Sequence, residues 1–237
     1  MSSFIVRDDF WNIFPDVEIG VVVAKGINNK SINEKSDGEI EKALDEANAD
    51  IDKFFTTAVF SENEVIAVWR DAYRKFKTKK GVRSSIENLL KRVNKGNPVR
   101  RINPLVDIYN TISLKYGLPC GGEDLDAIKG DLILTLANGG EYFMALGDEE
   151  PDNALPGEVI YKDDEGAVCR CWNWRDGQRT MLTEDTENAF LIIESVNPKM
   201  HDTMVLAMEE LRASVEKYLG GSVEIQYISR DNKEIII

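Results

Sequence analysis

An α+β fold is predicted for this 237-residue chain by three features of its pattern. Segments with apolar residues three and four apart crowd the first half, and short β-branched runs cut by Gly, Asp, Asn and Pro crowd the second. The two kinds do not alternate as a parallel βαβ fold requires, which leaves a helical N-terminal half beside a strand-rich C-terminal one. No internal repeat or low-complexity linker interrupts the chain, so residues 1–237 are expected to form a single compact unit.

Val17 to Ala24 is a β-branched run ending at Gly26, the pattern of a buried strand. From Glu34 to Phe55, Ile40, Ala43, Leu44, Ala47 and Ile51 mark an amphipathic helix with a solvated acidic face. Ser61 with Glu64, and Ser84 with Glu87, have the spacing of capping boxes, and each predicts a helix start. Asn103 before Pro104 gives an N-cap and a first-turn proline, predicting a helix to Tyr116 that stops at Gly117. Strands are expected at 131–137, 141–146, 158–161, 167–173 and 189–196, then a helix over 200–219 closed by Gly220-Gly221, then a strand over 223–228.

Composition narrows the function classes. No apolar run approaches the roughly 20 residues of a membrane helix, and the N-terminus lacks a signal-peptide pattern, so a cytoplasmic location is expected. Cys120, Cys169 and Cys171 include no Cys-x-x-Cys pair and have no histidine near them, which argues against a disulfide framework or zinc site; they are expected as small core or wall residues, with Cys169 and Cys171 on one face of a strand. His201 is the only histidine and is expected to serve a helix start. No metal and no cofactor is called for by the residues present.

Charge is distributed unevenly. The window 70–101 carries 12 Lys or Arg against 2 Asp or Glu, in a chain whose net charge is −13. Lys77, Lys79, Lys80, Arg83, Lys91, Arg92, Arg100 and Arg101 are candidates for contacts with nucleic-acid phosphates, which supply affinity without sequence readout. The alternative is a helix face neutralised by the acidic remainder.

This basic window runs into Asn103-Pro104-Leu105-Val106-Asp107 and then Gly117-Leu118-Pro119-Cys120-Gly121-Gly122-Glu123-Asp124-Leu125-Asp126. Lys129-Gly130-Asp131, Gly140-Glu141 and Thr186-Glu187-Asn188-Ala189-Phe190-Leu191 follow in order. Over residues 81–196 these blocks resemble the editing domain of the bacterial phenylalanyl-tRNA synthetase beta chain, with 1–80 and 197–237 as integral extensions. The resemblance implies a β-sandwich-like core under the helical half, and hydrolysis of the ester of a wrongly charged tRNA. The chain has no segment resembling the aminoacylation domain, the ATP site or the anticodon-binding module, so it looks like a free-standing editing domain acting in trans.

Two departures stand out. The family's loop histidine is matched by Gly121 and its aromatic residue by Glu123. The Gly-Gly-Glu segment that reads a tyrosine hydroxyl falls near Trp174-Arg175-Asp176-Gly177-Gln178 and is not reproduced, which points to an amino acid other than tyrosine.

Ester hydrolysis needs a positioned water and dipoles for the oxyanion, and an activated ester does not require a strong base. Asn110, Gly121, Gly122, Glu123 and Asp124 are the candidate catalytic residues. Gly121-Gly122 either bring backbone N–H groups to the carbonyl or form an ordinary turn. Glu123 and Asp124, expected in a loop, either hold the α-amino group or orient water, and Asp124 alternatively caps the segment after it. Asp107, Cys120, Asn173, Arg175, Arg179 and Thr180 are the candidate substrate contacts. Asp107 and Asn110 alternatively brace helix to loop, and the arginines alternatively form surface ion pairs. Strand alternation predicts that Trp172 and Trp174 share one face and Asn173 and Arg175 the other.

The resulting expectation is a trans-acting aminoacyl-tRNA deacylase whose partner is the tRNA acceptor end, with neither DNA nor membrane as partner. The alternatives are a non-catalytic tRNA- or RNA-binding module and a small-molecule, amino-acid-binding protein.

Overall fold

A computed structural model describes residues 2–30 and 33–237. In chain order its elements are β1 (Ser3–Val6), α1 (Asp8–Ile13), β2 (Glu18–Lys25), α2 (Glu34–Ala49), α3 (Glu64–Tyr73), α4 (Ser85–Asn94) and α5 (Pro104–Tyr116). They continue with β3 (Cys120–Asp124), β4 (Leu132–Leu136), β5 (Val159–Lys162), β6 (Ala167–Arg170), β7 (Arg175–Asp176), β8 (Asn188–Ser195), α6 (His201–Leu219), β9 (Ser222–Ile228) and β10 (Glu234–Ile236). Among the described residues no helix is long and apolar enough to cross a membrane.

The strands form two sheets, one ordered β10-β1-β4-β5-β6-β7 and the other β3-β8-β2-β9. Side chains alternate across a strand, and β2 and β8 use both faces. Ile19, Val21 and Val23 of β2, with Phe190 and Ile192 of β8, pack on Phe4, Leu132, Leu134, Val159 and Tyr161 of the six-stranded sheet. Val22 and Ala24, with Ala189, Leu191 and Ile193, pack on α5 and α6 through Leu105, Ile108, Met208 and Leu211. A strand covered on both sides reads as a continuous apolar run, as Val17 to Ala24 does. The fold is thus α+β with a sandwich-like core, as the pattern and the resemblance predict. At Gly20, a Cβ would lie 2.6 Å from Met208 Sδ, so glycine lets α6 lie close on the sheet.

Several local predictions hold through their caps. Ser84 accepts a hydrogen bond from the Glu87 N–H, and Asn103 accepts one from Val106 N–H ahead of Pro104. α5 ends at Gly117 in the left-handed region, φ 68°.

Others are corrected. Ser61 does not cap α3: Asn63 takes that position, and its buried side chain bonds Thr57, Val59 and Phe60 backbone instead. α2 stops at Ala49, and a 3-10 turn over Ile51–Phe54 follows rather than more α-helix. Residues 141–146 form no strand. Their carbonyls serve separate partners, Tyr142 O accepting from Ala167 N–H and Phe143 O from Asp152 N–H, and only Ala145 makes a bridge, to Gly177.

The strand expected over 167–173 ends at Arg170, because Cys171 and Trp172 take left-handed backbone conformations, φ 47° and 67°. Two consecutive non-glycine residues there are costly, and tertiary contacts hold them. Trp172 is fully buried among Phe10, Phe14, Trp69 and Phe76. The predicted face-sharing of Cys169 with Cys171, and of Trp172 with Trp174, therefore lapses. Lastly, Cys120 to Asp124 is an edge strand rather than a loop or turn, paired antiparallel with β8.

Candidate functional site

Alternation along two strands builds the site. On β8, Phe190, Ile192 and Glu194 point between the sheets, and on β3 the residues paired with the first two, Glu123 and Gly121, point the same way. They line a cavity of about 70 Å³, or about 500 Å³ with its open mouth. The opposite wall is Tyr161, Cys169, Trp172, Asn173, Trp174 and Asp176, and Ser85 at the start of α4 stands at the rim. The left-handed turn at Cys171-Trp172 swings Asn173 and Trp174 into this wall.

Three carboxyl groups share the cavity and differ in partners. Glu194 Oε1 accepts from Tyr161 Oη and from Trp172 Nε1 at 2.5 Å, and its Oε2 accepts from Asn173 Nδ2 at 2.7 Å. Burial pushes its pKa up, while those three donors pull it back. Asp176 is raised by burial. Glu123 is raised furthest from the ordinary carboxylate range, by burial first and by the Asp176 charge second, with the Thr180 hydroxyl and Arg179 easing it. Its Oε2 is buried without a hydrogen-bond partner, and so are Ser85 Oγ and Thr180 Oγ1. Such groups cost free energy unless something completes them.

The thiols are held in their neutral form by burial. Burial pushes Cys120 and Cys169 up, keeping both protonated, and Cys169 donates to Trp172 O at 3.0 Å. All three cysteines are free and buried. Among the described residues no three of His, Cys, Asp and Glu are grouped to hold a metal ion.

Of the residues nominated from sequence, Cys120, Gly121, Gly122, Glu123 and Asn173 line the cavity, and the others do not. Asp107 is buried and taken up by Arg101 Nε at 3.1 Å and the Ile102 N–H at 2.7 Å, so it braces the start of α5. Asn110 is buried on α5 outside the cavity. Asp124 caps the 3-10 turn after it through Asp126 N–H, the capping alternative, and accepts from Thr186 Oγ1. Arg175 pairs with Asp148 at 3.2 Å, and Arg179 pairs with Asp163 at 2.6 Å. His201 opens α6 and faces Glu18 at 2.8 Å.

The ladder also sorts the two glycines. Asp124 N–H points away from β8 to Thr180 O, so by antiparallel alternation Gly122 N–H also faces outward while Gly121 N–H is spent on β8. An oxyanion role is thereby closed to Gly121 and left open to Gly122.

Sequence reasoning missed Ser85, Tyr161, Asp176 and Glu194. Only Glu194 carried a signal, as a lone carboxylate in an apolar strand.

The first half of the basic segment adjoins this rim. A groove of about 200 Å³ lined by Arg70, Tyr73, Arg74, Thr78, Arg83 and Ser84 adjoins the cavity. Tyr73 Oη donates to Asn173 Oδ1 at 2.9 Å, and Ser85 N–H donates to Asn173 O at 3.1 Å, so groove and cavity share a wall. Lys79, Arg83 and Arg101 are held by Asp152, Glu87 and Asp107. Lys77, Lys80, Lys91, Arg92 and Arg100 are exposed, with no carboxylate partner among the described residues.

Comparison with known proteins agrees with this architecture. A model of the B3/4 domain matches residues 68–212. The phenylalanine–tRNA ligase beta subunit of Ruegeria pomeroyi is 39% identical over 93 residues, 39% of this chain and 11% of that protein. That of Psychrobacter arcticus is 32% identical over 100 residues, 42% of this chain and 12% of that protein. Each match thus spans about a tenth of the relative's length. The crystal structure of an N-terminal fragment of the phenylalanyl-tRNA synthetase beta subunit from Pyrococcus horikoshii superposes with a TM-score of 0.50. It covers 93% of this chain and 49% of the fragment at 13% identity, a likeness of fold.

Proposed function

We propose, because the chain belongs to the B3/4 domain family, that it is an aminoacyl-tRNA deacylase acting in trans. What supports the reading is one observation: a cavity with unsatisfied buried polar groups opens beside the first half of the basic segment. The acceptor-stem backbone lies along the groove and the exposed cations Lys77, Lys80, Lys91, Arg92 and Arg100, and the aminoacyl ester enters the cavity. Water attacks the ester carbonyl carbon, the bond to the ribose oxygen breaks, and that oxygen takes a proton from the water. Gly122 N–H and Ser85 Oγ have the hydrogen-bonding capacity to hold carbonyl and water, and Glu123 offers an acceptor to the aminoacyl group. Preorganised dipoles of this kind suit an already activated ester.

Incubation with a panel of charged tRNAs tests the reading. Ester loss above the spontaneous rate is expected for at least one pair. Replacing Ser85 by alanine is expected to slow it about tenfold or more, the range for removing one positioned donor. Binding without ester loss identifies an RNA-binding module instead, and neither outcome leaves an amino-acid-binding protein. Glutamate at Lys77, Lys80 and Lys91 is expected to weaken tRNA binding and flatten its salt dependence by about one unit of slope per lost phosphate contact.

A further inference from the structure

Two glutamates line the cavity, and only one is complete. Glu194 accepts hydrogen bonds from three internal donors, whereas Glu123, 5% exposed, leaves Oε2 without any. Asp176 lines the opposite wall of the same cavity and acts on Glu123 by its charge, and Phe190 and Trp174 complete the surroundings. A buried acceptor beside a second carboxyl group calls for a partner that brings both donors and positive charge. A ligand hydroxyl supplies one donor and leaves the two carboxylates repelling each other. An ammonium supplies three donors and cancels that repulsion. Aromatic walls add attraction for a cation.

We infer that Glu123 and Asp176 form a socket for a protonated amine of the ligand. The inference deepens the deacylase reading and rests on it for the origin of the amine, which is either the α-amino group of an aminoacyl ester or an amine-bearing side chain. Filling the socket gives Glu123 Oε2 the donor it lacks and gives the site a means of refusing an aminoacyl group whose amine is blocked.

The test is a binding measurement that does not pass through hydrolysis. The intact protein is titrated calorimetrically with ethylammonium chloride and, separately, with ethanol. Ethylammonium is expected to bind and ethanol not to, and Glu123→Gln is expected to weaken ethylammonium by about tenfold or more, the usual effect of losing a charge-assisted hydrogen bond. Two further arms separate the sources. Glycinamide binding against N-acetylglycinamide marks an α-amino ligand, and n-butylamine binding against n-butanol marks a side-chain amine. Ethylammonium failing to bind, binding no better than ethanol, or binding Glu123→Gln as tightly as the parent overturns the socket, whatever the tRNA panel shows. Amine binding with no ester loss in that panel keeps the socket and removes the deacylase.

Discussion

Glu158 and Glu123 are equally hidden and opposite in company. Glu158, fully buried just before β5, receives Arg170 Nε at 2.9 Å and Nη2 at 2.7 Å, and the same guanidinium bonds the Asp152 carbonyl and carboxylate. Every acceptor there has a donor, and the six-stranded sheet closes around the pair. Glu123, on the edge strand of the other sheet, keeps one oxygen unpaired beside a cavity. Burial of a charged group is common to both, so burial is not what marks a functional site. Incompleteness is: the first glutamate fastens two segments of this protein, and the second has its partner still to come.

The comparison makes predictions that can break it, and the largest concerns Arg170. Replacing Arg170 with Met leaves Glu158 buried and unpaired, with an expected loss of about 3–5 kcal/mol in urea unfolding. A loss under about 1 kcal/mol removes the distinction between a fastening carboxylate and an open one. Next in size is Glu194→Gln. An amide must turn its nitrogen toward one of Tyr161, Trp172 or Asn173, all of which already donate, and the expected cost is about 2 kcal/mol.

The smallest effect, and the one of opposite sign, is Glu123→Gln. The pKa of Glu123 is raised in the folded protein, so the native state binds its proton more tightly than the unfolded chain does. The stability tied to that proton is present below the ordinary glutamate value of 4.5 and is lost as pH rises through the folded value. Stability of the parent is therefore expected to fall as pH rises through that window, and Glu123→Gln to remove this part of the slope. Near neutral pH the variant is expected to equal or exceed the parent by up to about 1 kcal/mol. A clear destabilisation at pH 7 would show that Glu123 is fastening something after all.

The same contrast explains what could be read from sequence. Helix α5 was legible because its signals are local: Asn103 caps it, Pro104 opens it and Gly117 ends it in a left-handed conformation that glycine adopts without the steric cost a side chain carries. The α+β class and the two-sided strand β2 were legible from periodicity alone. The strand over Cys120–Asp124 was not, since two glycines followed by two acids have the composition of a turn. Its glycine serves packing: a Cβ on Gly122 would stand 2.6 Å from Leu191 Cδ2 and 2.9 Å from Leu182 Cδ1. The turn at Cys171-Trp172 was hidden for a deeper reason. Nothing in a Cys-Trp pair announces a left-handed backbone, and tertiary contacts hold it: the aromatic cluster around Trp172, drawn from α1, α3 and residues beyond, with hydrogen bonds from Tyr73 Oη to Cys171 O and from Trp172 N–H to Val159 O. The site residues that sequence missed depend on that turn and on which strands become neighbours. Asp107 and Asp124, nominated from sequence but outside the cavity, sit where a brace and a helix cap need a carboxylate as much as a substrate does.

The pairing of β2 has a consequence for how the protein is made. Both of its neighbours, β8 (188–195) and β9 (222–228), follow it far along the sequence. Ile19 to Ala24 must therefore wait for residues 188–228 with two unpaired edges and an apolar surface on each side. Contacts so distant in sequence place refolding on a scale of roughly milliseconds to seconds, slower than a helical protein of this size. During that interval the strand's unpaired edges are open to pairing with another chain.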